Sequence, residues 1–186
     1  MKRLVSLTLI LILCIEISIW ATEKSEPKVP HAGGDLTPVE AYEMLMADPE
    51  NTFLIDCRTM SEYEFVGHPA MAYNIPYKFW TPEEGMIVNP NFAEDVMEKF
   101  NKTDRLLIIC RSGKRSCFAC DILIEVGFEN IFNVLGGFEG DKVKDQNSIY
   151  YGYRRNIRGW QHDGLPYTYE LNDELIYKLH SPCGCE

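Results

Sequence analysis

The sequence predicts an α/β fold built around a mostly parallel sheet. Three observations carry this expectation. Strand-length apolar runs alternate with amphipathic helical stretches, the run Arg105–Ile109 is apolar on both faces, and glycines mark several changeovers. A strand that is apolar on both faces belongs at the centre of a sheet covered by helices on each side. In chain order, Thr37, Pro38 and Glu40 mark the first helix start: Thr caps, Pro occupies the first helical position and Glu reaches back to the cap. Val39, Tyr42, Leu45 and Met46 give that helix its apolar face. Residues 52–57 read as a strand, with Phe53, Leu54 and Ile55 continuous and apolar, and 61–65 as a short helix. Gly67 and His68 lead into an extended piece ending at Ile75 and Pro76. Residues 77–90 read as an aromatic loop whose Trp80 is a candidate pocket wall, and 92–100 as a helix with Phe92, Val96 and Phe100 spaced by four. After Arg105–Ile109 come a turn at 110–114, a helix over 115–126 stopped by Gly127, and a strand over 131–135 followed by Gly136 and Gly137. Residues 146–160 read as an irregular or partly helical excursion, and 170–180 as a terminal helix.

The N-terminus carries Lys2 and Arg3, then an apolar run from Leu4 to Ile15 broken by Ser6 and Thr8, then the small Ala21. This pattern reads as a secretory signal peptide over 1–21. The run is short for a membrane span, which needs roughly 20 apolar residues; an uncleaved, tethering signal is the alternative. The expected location is therefore exported, in a bacterial periplasm. A leader rich in charge, Pro and Gly follows over 22–34. Losing Lys2, Arg3 and Glu16 from 18 basic and 28 acidic groups leaves 16 against 27, a formal charge of −11. Such an acidic chain is a poor binder of nucleic-acid backbones and suits small molecules or a basic partner. The seven Cys and four His lack the paired spacing of a structural zinc site, so no metal is expected.

The chemistry concentrates in Cys110-Arg111-Ser112-Gly113-Lys114-Arg115-Ser116, which follows the buried strand and opens a helix. Ligands of open α/β sheets bind where strand ends meet helix N-termini. Backbone N–H groups there attract anions and stabilise a thiolate. Arg111, Lys114 and Arg115 add positive charge, so Cys110 is expected to be a nucleophile on a surface loop. A buried structural thiol is the plainer alternative. Two chemistries fit: a phosphocysteine, as in cysteine phosphatases (with arsenate reduction as a related reading), or a persulfide formed from a sulfur oxyanion. Four residues separate Cys110 from Arg115, one fewer than in the familiar phosphatase loop, and no carboxylic acid lies in the loop to protonate an alcohol. Both features favour sulfur.

This loop resembles that of single-domain members of the rhodanese-like family, the thiosulfate sulfurtransferases. The likeness runs from Asp35 to Pro166 and includes Asp56 and Arg58, Glu62-Tyr63 before Gly67-His68, Asn74-Ile75-Pro76, Gly127-Phe128, Gly136-Gly137-Phe138, Gly159-Trp160 and Gly164-Leu165-Pro166. It implies a three-layer fold with a five-stranded central sheet over 35–170, an insertion at 140–158 and a C-terminal extension at 171–186. It implies that Cys110 carries sulfane sulfur from thiosulfate or a polysulfide to a thiol, cyanide or a thioredoxin-like protein, with no cofactor. Backbone N–H groups from Arg111 to Ser116 would hold the oxyanion, and Asp56 with Arg58 would brace the site. A sulfur-carrier or redox-partner module within an exported assembly is the alternative. Cys57, Cys117, Cys183 and Cys185 are candidate accessory thiols; packing is the plainer reading of Cys57, Cys117 is expected to be partly exposed, and incidental tail thiols or a local disulfide is the plainer reading of Cys183 and Cys185. His68 reads as structural.

Overall fold

A computed structural model describes residues 32–179. The main sheet has five strands: β1 (Gly34–Leu36), β2 (Thr52–Asp56), β3 (Tyr73–Asn74), β6 (Arg105–Ile109) and β7 (Asn130–Val134). Their order is β1-β7-β6-β2-β3, and every neighbouring pair is parallel. Helices α1 (Pro38–Ala47), α2 (Met60–Val66), α3 (Phe92–Met97) and α4 (Lys114–Glu125) flank it. Strand β6 lies in the middle, and Leu106 to Ile109 are fully buried, as a run apolar on both faces requires. Its side chains alternate between two cores. Leu106, Ile108 and Cys110 join Ile55, Cys57, Phe92, Val96, Ala119 and Leu123 beneath α3 and α4. Leu107 and Ile109 join Leu54, Ala41, Leu45, Tyr63 and Trp160 on the other face, beneath α1 and α2. The result is a three-layer αβα sandwich. Truncating Ile108 to Ala would cost about 2–5 kcal/mol, since a fully buried site on a central strand collapses poorly.

Two helix starts follow directly from local chemistry. Thr37 Oγ1 accepts the Glu40 N–H at 3.2 Å while the Glu40 carboxylate accepts the Thr37 N–H at 2.8 Å, and Thr59 with Glu62 repeats the reciprocal arrangement.

Three local expectations are corrected. Residue 34, read as the end of a leader, is the first residue of β1, where Gly34 pairs with Phe132; a Cβ there would lie 2.7 Å from the Phe132 ring. A three-residue strand offers too short a pattern to be recognised. The aromatic loop at 77–90 is an antiparallel hairpin of β4 (Lys78–Thr81) and β5 (Gly85–Val88). Its Tyr77 packs edge-on to Phe92 and its Phe79 against Tyr177, while Trp80 is 62% exposed. The expected terminal helix is, over its described residues, a single turn at Asn172 followed by chain without regular secondary structure. That segment is tied to the domain: the Asn74 N–H donates to the Leu175 carbonyl at 2.7 Å, and the Tyr177 hydroxyl to Asp95 at 2.9 Å. Tertiary bonds of this kind replace the intrahelical ones.

The excursion beyond Gly140 contains no helix. It is folded on itself by bonds between Val143 and both Gly152 and Tyr153, and by the Arg158–Asp141 ion pair at 2.6 Å. Among the described residues, no helix is long and apolar enough to cross a membrane. The expected signal peptide, most of the leader, Cys183 and Cys185 lie outside the described residues.

Candidate active site

Cys110 is the first residue after β6, and α4 begins four residues later. Gly113 caps the helix with φ +92°, a left-handed conformation that suits glycine. This turn folds the loop back over the cysteine, so that the Gly113 N–H donates to Cys110 Sγ at 3.2 Å. The Ser116 backbone N–H also faces that sulfur. The other side of the loop is gripped by residues after β7. The Phe138 N–H donates to the Cys110 carbonyl at 2.7 Å, and the Glu139 N–H to the Arg111 carbonyl at 2.9 Å. This approach requires Gly137 (φ +59°), because a Cβ would sit 2.7 Å from the Ser112 nitrogen.

Ser116 is fully buried with Oγ 3.3 Å from Cys110 Sγ, 3.0 Å from the Gly113 carbonyl and 2.6 Å from Asn133 Oδ1. A hydroxyl has one hydrogen to give, so these three acceptors compete for it. Asn133 in turn donates to Asp35 at 2.9 Å, linking the loop to β7 and β1.

The sulfur has a further neighbour. Cys57 follows β2 as Cys110 follows β6, and the two thiols lie in the same core cluster, close enough for each to bear on the other's ionisation. Burial disfavours a Cys110 thiolate, but the neighbouring Cys57 thiol, the Arg115 charge and the Ser116 donors outweigh it and hold the Cys110 thiol well below its ordinary range. Burial and the adjacent Cys110 push Cys57 the opposite way.

Arg115 and Glu62 form a bidentate pair with both contacts at 2.7 Å. Burial works against the Glu62 carboxylate, but its bonds to Arg115 and the Thr59 N–H bring its pKa down to about 2. Arg111 and Lys114 are exposed at the rim. Arg154, anchored on the Gly140 carbonyl at 2.6 Å, comes close enough for partial burial and then the Arg111 charge to make its own charge less favourable.

Behind the site, Asp56 and Arg58 are both fully buried. Arg58 Nη2 meets Asp56 at 2.6 Å and the Gly67 carbonyl at 2.7 Å, Nε bonds the same carboxylate, and the guanidinium lies 4.2 Å from the Phe138 ring centroid.

A profile of the Rhodanese-like domain matches residues 37–144. The chain belongs to the rhodanese-like family. It is 37% identical over 119 residues to Rhodanese-like domain-containing protein 17 of Arabidopsis thaliana, covering 63% of this chain and 70% of that protein. It is 30% identical over 135 residues to Protein HIGH ARSENIC CONTENT 1, mitochondrial, of the same plant, covering 68% of this chain and 77% of the relative. Among solved structures, Rv0390 from M. tuberculosis is similar at a TM-score of 0.63 and 30% identity, over 76% of this chain and all of that one. The domain match ends inside the 140–158 segment, before Arg154.

Against this rhodanese-like frame, three sequence expectations change. Cys110 was expected at a surface, yet its residue is only 1% exposed; alternation along β6 points it into the sheet–α4 layer and the loop closes above it. Its sulfur nevertheless faces polar donors. Arg115 was expected to attract substrate, but Glu62, reached across 53 residues, occupies its guanidinium. Cys117, expected to be partly exposed, is buried and donates its thiol to the Gly113 carbonyl at 3.1 Å; burial raises its pKa to about 11. Asp56 and Arg58 occupy the bracing position, and His68 is buried, stacked on Tyr63 at 3.5 Å. Sequence reasoning missed Glu62 and Asn133 as parts of the site. Their signals were a capping box whose Glu precedes the site by 48 residues and an amide inside an otherwise apolar strand.

Proposed function

We propose that this chain is a sulfurtransferase that loads sulfane sulfur onto Cys110. The observation that carries the reading is the Cys110 sulfur held at the head of α4 by the Gly113 N–H and the Ser116 donors. A thiosulfate donor reacts by attack of the Cys110 thiolate on the outer sulfur. The S–S bond to the sulfonate breaks, sulfite leaves with the electron pair, and Cys110 becomes a persulfide whose negative charge rests on the terminal sulfur. The same donors that stabilise the thiolate then stabilise that persulfide anion. A polysulfide delivers sulfur by the same attack with a shorter polysulfide leaving. Arg111, Lys114 and Arg154 attract either donor electrostatically, while Arg115 tunes the sulfur through space and is held in place by Glu62.

Because Cys110 is almost fully covered, the loop must yield for a donor to reach it, which favours small linear donors. Release of one sulfite per chain from thiosulfate, absent in Cys110→Ser, tests the reading; no sulfite from the native chain would overturn it. Arsenate is the competing oxyanion, given the name of one relative. Arsenite formation through Cys110 without sulfite release would favour that chemistry instead. The alternative carrier role within an exported assembly predicts slow turnover with free thiosulfate and fast persulfide exchange with one partner protein.

A further inference from the structure

Cys57 and Cys110 occupy equivalent positions at the ends of adjacent parallel strands. The β2–β6 register runs from Thr52 opposite Arg105 to Asp56 opposite Ile109, so the next pair is Cys57 opposite Cys110. The Cys57 N–H still donates to the Ile109 carbonyl at 2.9 Å, which shows that the pairing continues to that point. Both side chains fall in the same core cluster, on the α3/α4 face. Neighbouring strands are about 4.8 Å apart, and bridged cysteines have Cα atoms roughly 4.4–6.8 Å apart. Cys57 is 0% exposed, so solvent reagents do not reach it, while Cys110 lies beside it in the same buried cluster. Packing alone would be served by Val or Ala at this strand end; a second thiol facing the reactive one adds a redox partner.

We propose that Cys57 is the resolving thiol of the site: it attacks the Cys110 persulfide, releases hydrosulfide and leaves a Cys57–Cys110 disulfide that a dithiol reductant reopens. This rests on the persulfide reading above and names its acceptor. The Cys57 sulfur attacks Cys110 Sγ from the β2 side. The bond from Sγ to the terminal sulfur breaks, and that sulfur leaves with the electron pair toward the loop, where the Gly113 and Ser116 donors face it. The Cys57 proton passes to the leaving sulfur, so that Cys57–SH and Cys110–S–S⁻ become Cys57–S–S–Cys110 and HS⁻. The sulfane sulfur is reduced to sulfide and the two cysteine sulfurs are oxidised to the disulfide. A dithiol then supplies two electrons and two protons, restoring both cysteines and becoming a disulfide itself. Over a cycle, thiosulfate is converted to sulfite and sulfide at the expense of one dithiol.

The test uses the full chain in single turnover with thiosulfate and no reductant, reading sulfite, sulfide, intact mass and the peptide map. The expected native result is one sulfite and one sulfide per chain, with the Cys57 and Cys110 peptides joined. Cys57→Ser, and Cys57→Ala as a second variant, should instead keep the added sulfur on the Cys110 peptide and release no sulfide. A dithiol such as dithiothreitol should turn the native chain into a catalytic sulfide source and reopen the disulfide. Sulfite release with a stable mass gain of one sulfur on native protein would overturn the resolving role and leave the persulfide reading standing. Absence of both sulfite and sulfide would overturn the two together. The native measurement decides the matter even where a Cys57 variant fails to fold.

Discussion

Replacing Arg58 by Met would strand a carboxylate inside the protein. Asp56 and Arg58 are both fully buried, and Arg58 satisfies Asp56 through Nε and Nη2 at 2.6–3.0 Å while also bonding the Gly67 carbonyl and covering the Phe138 ring. Met retains much of the apolar stem but leaves Asp56 with the backbone N–H of residue 58 as its remaining donor within this local pair. Stranding one member of such a pair costs about 3–5 kcal/mol. With a urea slope of about 2 kcal/mol per molar, the unfolding midpoint should fall by about 2 M. Trp160, fully buried in the same core as Tyr63 and Phe138, gives a fluorescence signal for the transition. The double variant Asp56→Asn/Arg58→Met removes both charges and should recover roughly half of the loss or more. A single variant within about 0.5 kcal/mol of native, or a double variant no better than the single one, would refute the buried-charge reasoning.

The Glu62–Arg115 pair sets an acid limit. Because the folded Glu62 pKa is about 2 against an ordinary 4.5, its contribution is fully present above pH 4.5 and is lost as pH falls toward 2; the stability gap between native protein and Glu62→Gln should close across that window. A gap unchanged with pH contradicts this. Cys110 is also depressed, so its stabilising contribution is complete above the unfolded thiol value of about 8.5 and is lost as pH falls through the folded value. The thiolate ultraviolet absorbance that disappears in Cys110→Ser should accordingly titrate well below 8.5, and a midpoint at or above that value would count against the polarised sulfur. Arg154→Met should raise the thiosulfate KM by about fivefold with kcat unchanged, the loss of roughly 1 kcal/mol of uniform anion binding; an unaltered KM would remove Arg154 from the donor site.

The parts of the fold written in local sequence were readable. The doubly apolar β6, the glycine-bearing turn and the amphipathic α4 together located Cys110, and a capping box marked α1. What escaped depends on contacts that no local pattern encodes. Strand β1 is three residues long and owes its place to pairing with β7. The hairpin at 78–88 was masked by a Pro-Glu-Glu turn within an aromatic stretch. Glu62 was quoted with Tyr63 in the family likeness, but its grip on Arg115 arises only when α2 meets the start of α4. The position of Cys57 beside Cys110 is a consequence of sheet register, and so is the burial that makes the Cys110 sulfur less accessible than a loop cysteine would suggest.

Loading the chain with thiosulfate while Cys57 is replaced by Ser, then locating the added mass by peptide mapping, probes sulfur acceptance by Cys110 most directly. One extra sulfur atom on the Cys110 peptide, matched by one sulfite in solution, is the predicted result. A folded protein that gains no mass from either thiosulfate or polysulfide would contradict the assignment of Cys110 as the sulfur-carrying nucleophile.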